Sequence, residues 1–143
     1  WEVDAFDSSN EGKIKAESLA ARKGVEINYH IQGFEAFEAL PNSYDAIALI
    51  YAHVPQEKRV VYFQHCVEWL KPGGTLIIEG FSKMQLGKKS GGPKDVNMLF
   101  SIKELEKELR GLKFSYAEEL DVELDEGKFH QGIGSVVRVI ATK

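Results

Sequence analysis

Two short apolar runs, separated by a helical pattern, constrain this chain more than any other feature. The runs are Ala46 to Ile50 and Thr75 to Ile78. Pro55 suits the first turn of a helix, and Pro72 cannot continue that helix. The glycine pair after Pro72 allows a turn, at residues 71–74, into the second run. Two strands joined by a helix form a βαβ unit with parallel strands. Because neither run alternates cleanly between apolar and polar residues, we expect both strands to be buried on both faces.

The predicted helix between the two runs carries a mostly apolar stripe at helical spacing. The stripe consists of Val60, Val61, Phe63, Gln64, Val67 and Leu70. In parallel sheets, ligands bind at the carboxyl ends of the strands. This rule directs attention to the residues that follow each run, which are 51–53 and 79–81.

Strand and helix signals continue on both sides of this unit. We expect strands at Trp1–Phe6, Val25–Gln32, Phe114–Leu124 and Ser135–Ala141. A helix is expected from about Glu11 to Lys23, where Gly24 stops it. A second is expected to start at a capping box formed by Ser101 and Glu104 and to end near Gly111. The last two strands have no helix between them, so they must form an antiparallel hairpin.

Composition narrows the classes of protein to which this chain can belong. Its 143 residues predict one domain with a sizeable core, and its net charge of −4 argues against a broad nucleic-acid surface. No apolar run is long enough to span a membrane, and no signal peptide is visible. The single cysteine, Cys66, lies in a predicted helix, where a buried thiol is favoured over a nucleophile. We therefore expect a cytoplasmic protein.

The order of motifs in the central unit resembles that of class I S-adenosylmethionine-dependent methyltransferases. The resemblance is carried by Tyr44-Asp45 at the start of a strand, by His53 in the loop after it, and by 70–74, Leu-Lys-Pro-Gly-Gly, before the next strand. It implies a Rossmann-like α/β three-layer sandwich with a mostly parallel sheet and a C-terminal antiparallel hairpin. It also implies methyl transfer from S-adenosylmethionine. An ordinary βαβ layer without a site is the alternative.

Other segments look like small bacterial methyltransferases of the tellurite-resistance type. They are Gly92-Pro93-Lys94, 98–101 and the hairpin loop 126–132, so the resemblance covers essentially the whole chain. It implies a small-molecule or inorganic acceptor. His130 in the hairpin loop is the leading catalytic candidate on the acceptor side, because a neutral imidazole can accept a proton near pH 7. A loop histidine without a role is the alternative.

The resemblance also assigns residues to the cofactor. Asp7, with Ser8 beside it, follows a strand where an acidic residue accepts hydrogen bonds from ribose hydroxyls; a plain helix N-cap is the alternative. Gly33 and Phe34 would border the adenine ring, although similar methyltransferases often carry Asp where this chain has Gly33. Phe34 could equally belong to the core, as could Phe37. Tyr51 and the catalytic candidate His53 would face the methyl group or its acceptor. No metal site is expected.

A polar segment from Ser82 to Asn97 follows the second run. Long loops of this kind are usually functional or disordered, and its place after a strand's carboxyl end predicts a mobile lid. Three lysines, Lys88, Lys89 and Lys94, could attract an anionic substrate. Solvated loop charges are the alternative.

Class I methyltransferases begin with a strand and a glycine-rich turn that this sequence lacks. We therefore expect an N-terminally truncated domain in which the first strand, central in the family's sheet, is missing. The edges left by that strand could pair directly, could be filled by another copy in a homodimer, or could be filled by residues outside this sequence. On this interpretation the chain alone binds S-adenosylmethionine weakly or not at all, and Asp7 and His53 lie near one crevice.

Two other functions remain open on the sequence. One is a non-catalytic adenosine-cofactor-binding or assembly module with the same fold. A weaker one is a nicotinamide-dependent oxidoreductase, against which the antiparallel ending argues. Cofactor binding and turnover would discriminate between these functions.

Overall fold

The computed structural model describes residues 1–125, 127 and 130–143. The chain divides into two compact units, residues 1–39 and 40–143. The prediction of a single domain stays a prediction, and each unit is described by itself.

The first unit is a strand–helix–strand. Strand β1 (Asp4–Asp7) pairs in parallel with β2 (Asn28–Ile31), and helix α1 (Asn10–Lys23) connects them. All three predicted elements are confirmed, although both strands begin three residues later than expected.

Both ends of α1 follow from local sequence. The Ser9 hydroxyl oxygen accepts a hydrogen bond from the Gly12 N–H and caps the N-terminus. At the other end, Gly24 adopts a φ of 67°, and its N–H bonds to the carbonyls of Ala20 and Ala21. A left-handed residue costs little at glycine, so the predicted stop at Gly24 is confirmed.

The second unit contains a four-stranded sheet in the order β3-β4-β6-β5. Its elements are β3 (Tyr44–Ile50), α2 (Gln56–Trp69), β4 (Leu70–Phe81), α3 (Ile102–Glu108), β5 (Lys113–Asp125) and β6 (Gln131–Thr142). Strands β3 and β4 are parallel, whereas β6 is antiparallel to both β4 and β5. The predicted βαβ unit and C-terminal hairpin are therefore confirmed.

The predicted burial of β3 and β4 on both faces is wrong. Along β4 and β6, the side chains of one face are fully buried, for example Leu76, Ile78 and Val137. On the other face the aligned pair Ile77 and Ile140 is 40% exposed. Helices α2 and α3 pack against the sheet, and the second face stays partly open to solvent. The apolar runs look alike on both faces, so their composition did not reveal this asymmetry.

The buried face of α2 also differs from the predicted stripe. Its buried residues are Arg59, Phe63, Cys66, Val67 and Trp69, whereas Val60 and Val61 are about half exposed. Placing Val60 and Val61 in the core was wrong. The true stripe recurs at three- and four-residue intervals from an arginine, which hydrophobicity alone does not identify.

The predicted turn at residues 71–74 lies inside β4. Helix α2 ends at Trp69 and the strand starts at the next residue, with a register shift opposite Tyr44 and Ala46. Gly73 adopts a φ of 80° and donates its N–H to the Lys143 carbonyl at 2.9 Å. The need for glycine was predicted correctly, but the residues form an irregular start to the strand.

The segment predicted as a lid contains a short 3₁₀ helix, Lys83–Gln85, and a second one, Val96–Met98, begins at its end. A bridge between Ser82 and Phe100 closes the base of this segment. Helix α3 starts after Ser101 as expected, but the Ser101 side chain makes no capping hydrogen bond, so that part of the capping box is wrong. In the part of the chain that the structure describes, no helix is long and apolar enough to cross a membrane.

Candidate active site

Asp7 is the last residue of β1, and its side chain is exposed. One carboxylate oxygen accepts the Ser9 N–H at 2.7 Å, which orders the turn into α1. Ser9, and not Asp7, caps the helix. The N-cap alternative for Asp7 is therefore wrong, and its carboxylate stays at the carboxyl end of the strand with capacity to accept further hydrogen bonds. Ser8 is exposed beside it.

The adenine candidates lie beside an aromatic cluster in the same unit. Gly33 precedes the 3₁₀ helix Phe34–Ala36. The Phe34 ring meets the Phe6 ring edge-on at 5.1 Å, and Phe37 stacks on Phe6 at 4.4 Å. Both Phe34 and Phe37 are half-buried, so each is packed on one side and accessible on the other. This arrangement suits an aromatic ligand and equally suits a small core.

Tyr51 follows β3 with a strained backbone. Its φ of 49° is unusual for a residue with a large side chain, and its N–H bonds to the Glu79 carbonyl at 2.7 Å. Such outliers cluster at functional sites. The Tyr51 hydroxyl donates to the Glu79 carboxylate at 3.4 Å, and its ring lies 4.8 Å from that of Phe81. The backbone turn therefore places Tyr51 over the carboxyl end of β4.

Both ring nitrogens of His53 are engaged. Nδ1 lies 2.8 Å from the Met98 carbonyl oxygen, and Nε2 lies 3.0 Å from the Phe81 backbone nitrogen. A carbonyl oxygen only accepts and an amide N–H only donates, so His53 is neutral with its proton on Nδ1.

The surroundings of His53 disfavour its charged form. Its ring stacks with Phe81 and with Phe100, at centroid distances of 5.8 and 4.6 Å. Burial lowers the pKa of His53 most, and the nearby Arg59 guanidinium lowers it further, against the hydrogen bond to Met98.

Glu79 and Arg138 form an ion pair on the partly exposed face of the sheet. Arg138 donates from Nε at 3.0 Å and from a terminal nitrogen at 3.2 Å to the two oxygens of Glu79. The bidentate hydrogen bonds that Arg138 donates to the Glu79 carboxylate raise the pKa of Arg138. Sequence reasoning singled out Glu79 by its place after a run but missed Arg138, which only the β4–β6 register brings opposite it.

Arg59 is completely buried at the interface of α2 and α3. It donates to Glu108 at 2.7 and 2.9 Å and to the Leu99 carbonyl at 3.3 Å, while Phe100 lies 5.2 Å beneath the guanidinium. Glu104 approaches at 3.5 Å. Burial opposes ionisation of Glu104, but Lys83 and Arg59 hold its pKa below its usual value. Sequence analysis missed this network, because its members are distant in sequence.

A buried polar network anchors the predicted lid. Gln85 is 1% exposed and accepts the Ser135 N–H at 2.7 Å while donating to Ser90 and to the Gly91 carbonyl. Lys88 donates to Asp121 at 2.7 Å and to the Ser135 hydroxyl at 2.6 Å. Lys88 is thus paired. A substrate-attracting role for Lys89 and Lys94, which are both exposed, stays a prediction.

His130, the catalytic candidate of the hairpin loop, is a neighbour of Phe81. Its ring is parallel to that of Phe81 within 25°, at a centroid distance of 6.3 Å, and it is half-buried. Three residues of the predicted loop, 126, 128 and 129, lie outside the described residues.

The structure thus brings together Tyr51, His53 and His130 around Phe81. Asp7, Ser8, Gly33 and Phe34 form a second group, within the first unit. That the two groups share one crevice stays a prediction.

Cys66 is buried in α2, and burial raises the pKa of its thiol to about 12. This supports a structural thiol over a nucleophile. Among residues 1–125, 127 and 130–143, no group of three or more His, Cys, Asp or Glu is placed to hold a metal ion.

Residues 1–74 match the methyltransferase domain family, which is more than half of the 143-residue chain. The chain therefore belongs to this family. A search of the curated protein sequences finds no match.

Solved structures with the same fold include several methyltransferases. TehB from Haemophilus influenzae is 16% identical with a TM-score of 0.77, over 100% of this chain and 50% of its own. An S-adenosylmethionine-dependent methyltransferase from Methanosarcina mazei is 18% identical with a TM-score of 0.71, over 99% and 82%. A third, from Mesorhizobium loti, is 16% identical with a TM-score of 0.70, over 99% and 80%. The chain thus has the class I methyltransferase fold and spans half the length of TehB.

These findings support S-adenosylmethionine as the cofactor, and the residues present fit its adenosine half. Asp7 offers an exposed carboxylate for hydroxyl donors, and Phe34 offers a half-buried ring for a flat heterocycle.

Proposed function

We propose that the protein transfers a methyl group from S-adenosylmethionine to a small nucleophile. The placement of Asp7 carries this proposal. Its carboxylate stands at the carboxyl end of β1, outside the helix cap, where doubly wound folds bind a ribose. The family match, which includes Asp7, supports the same function.

The chain's residues would have separate tasks. Asp7, with Ser8, would accept and donate hydrogen bonds to ribose hydroxyls, and Gly33 and Phe34 would border the adenine. When bound, S-adenosylmethionine supplies a methyl group on a positively charged sulfur, which an acceptor atom can attack in line. The protein then needs mainly to orient the acceptor and to exclude water. Tyr51 and Phe81 would border the acceptor, and His130 would accept a proton from it.

The finer assignment is a small-molecule or inorganic acceptor of the tellurite-resistance type. It rests on the sequence resemblance, and the likeness to TehB agrees with it. A cytoplasmic location and a homodimer belong to this proposal too.

Turnover tests the proposed function. The full-length protein is incubated with S-adenosylmethionine and a panel of thiols, selenite and tellurite, and formation of S-adenosylhomocysteine is followed by mass spectrometry. Acceptor-dependent formation is expected, with loss of at least about a hundred-fold in His130→Gln if His130 is the base. His65→Gln, a half-buried histidine of α2, is the control. Cofactor binding without turnover on any acceptor would favour the non-catalytic module.

A further inference from the structure

His53 lies where three separate chain segments meet. It follows β3, it accepts the N–H of the last residue of β4, and it donates to the Met98 carbonyl at the end of the second 3₁₀ helix. These two bonds are the ones that its neutral Nδ1–H form makes, so neither ring nitrogen is left to take a proton from an acceptor.

The packing around His53 is equally specific. Its ring is nearly parallel to Phe81 and to Phe100, at 15° and 27°. A Cβ added to Gly80 would lie 2.4 Å from the Phe100 ring and 3.2 Å from the His53 ring. Contacts of 2.4 Å do not occur, so any larger residue at position 80 would force the Phe100 ring to shift.

Phe81 links His53 to Tyr51 and His130, the two residues on the proposed acceptor side. The Phe81 N–H is held by His53, its carbonyl accepts the Phe100 N–H at 2.9 Å, and its ring contacts Tyr51 and His130. The Tyr51 backbone is in turn fixed on β4 through Glu79. A shift of the His53 ring would therefore move the Phe81 backbone, and with it the ring that both neighbours contact.

We propose that His53 is a positioning residue, not a general base. Its two ring nitrogens hold the ends of β3, β4 and segment 96–98 in the arrangement that places the Phe81 ring against both Tyr51 and His130. This inference deepens the proposed function and rests on it for the kinetic readout. The tautomer of His53 can be tested without turnover.

The first test is spectroscopic. Protein with ¹⁵N-labelled histidine is titrated from pH 8 to pH 5, and His53→Gln assigns the His53 signals. We expect one neutral tautomer with the proton on Nδ1, and a titration midpoint below the ordinary histidine value of 6.5. Signals of an Nε2-protonated ring, or a midpoint at or above 6.5, would overturn the proposal. This result stands whether or not the protein transfers methyl groups.

The second test is kinetic and uses variants that separate the two bonds. In His53→Gln the amide oxygen can reach the Phe81 N–H, in His53→Asn the amide nitrogen can reach the Met98 carbonyl, and His53→Ala keeps neither. If His53 positions Phe81, His53→Ala lowers kcat/KM about ten-fold, the loss of one to two hydrogen bonds, and His53→Gln restores it to within about three-fold. The dependence of kcat/KM on pH keeps its shape in every variant that is active.

A general base behaves differently. If His53 were a general base, kcat/KM would fall about a hundred-fold or more in all three variants, His53→Gln, His53→Asn and His53→Ala. One limb of the dependence of kcat/KM on pH would also disappear. Either of these outcomes would overturn the proposal. If the unchanged protein forms no S-adenosylhomocysteine with any acceptor, the proposed function fails, while the labelled-histidine result still decides the tautomer.

Discussion

At the scale of single residues, substitutions of Asp7 test whether its carboxylate binds the cofactor or only orders the turn into α1. We expect Asp7→Ala to weaken S-adenosylhomocysteine binding by about 1–3 kcal/mol, because charge-assisted hydrogen bonds to ribose are lost. Asp7→Asn keeps an oxygen for the Ser9 N–H but not the charge, so its affinity should fall while α1 stays intact. The measurement is calorimetric titration, with circular dichroism to check the fold.

Asp4 supplies the matched control for Asp7. It is exposed on the same strand, and it accepts a hydrogen bond from Asn28 at 3.1 Å. Asp4→Ala should leave the affinity unchanged. An Asp7→Asn protein that is folded and binds S-adenosylhomocysteine as tightly as the unchanged protein would remove Asp7 from the site.

His53 makes the stability of the fold depend on pH. Its pKa is lowered in the folded state from an ordinary value of 6.5, so between that value and the lower one the unfolded chain binds more protons. Stability due to His53 is therefore complete above about pH 7 and is lost as the pH falls toward 5. Urea denaturation from pH 8 to pH 5 should show a steeper loss for the unchanged protein than for His53→Gln.

The charged groups around His53 come from α2, α3 and the segment after β4. Arg59 of α2 faces it, and Glu104 and Glu108 of α3 and Lys83 surround that arginine. The pKa of Glu104 is lowered from 4.5, so this carboxylate stays mostly ionised between pH 8 and pH 5. Parallel curves for the two proteins between pH 8 and pH 5 would contradict the assignment.

At the scale of secondary-structure elements, the Arg59–Glu108 pair holds α2 against α3. Both side chains are buried, at 0% and 5% exposed, so removing one partner strands a charge. We expect Glu108→Gln to destabilise the protein by about 3–5 kcal/mol. Asp45→Asn, which breaks the exposed pair with Lys71, should cost at most about 1 kcal/mol. Chemical denaturation measures the free energy of unfolding of both variants. Similar losses in the two would show that burial does not determine how much the Arg59–Glu108 pair stabilises the protein.

The segment 82–100 combines fixed and exposed parts. Gln85 and Ser90 are buried, whereas residues 86–87 and 94–97 are exposed. We expect ligand to slow hydrogen exchange in the two exposed stretches, while the amide of Ser135, held by Gln85, exchanges slowly throughout. Exchange that is identical in all these residues with and without S-adenosylhomocysteine would count against a lid.

At the scale of the whole molecule, local sequence signals predicted the helices and strands. The features that depend on packing between distant segments could not be predicted from the sequence. Pro55, Gly24 and the glycines at 73–74 fixed helix ends and turns, because each meets a local backbone requirement. The absence of a helix before β6 was enough to predict the hairpin.

The sequence contains less information on which side chains are buried and on which side chains pair with one another. Val60 and Val61 are as apolar as Val67, and only the contacts of α2 show which face turns inward. The sequence does not show that Arg59 is buried, because its partner Glu108 comes next to it only in the folded chain. At the candidate site, residue type and strand ends singled out Tyr51 and His53 as candidates. The use of both His53 nitrogens could not be predicted, because it depends on Phe81 and Met98, which lie 28 and 45 residues away.

Cofactor preference tests the central claim most directly. The full-length protein is titrated in a calorimeter with S-adenosylhomocysteine and, separately, with NAD. We predict saturable binding of S-adenosylhomocysteine, at least about ten-fold tighter than that of NAD, a difference of about 1.4 kcal/mol. NAD binding as tight as or tighter than that of S-adenosylhomocysteine, or no binding of either by folded protein, would contradict the account.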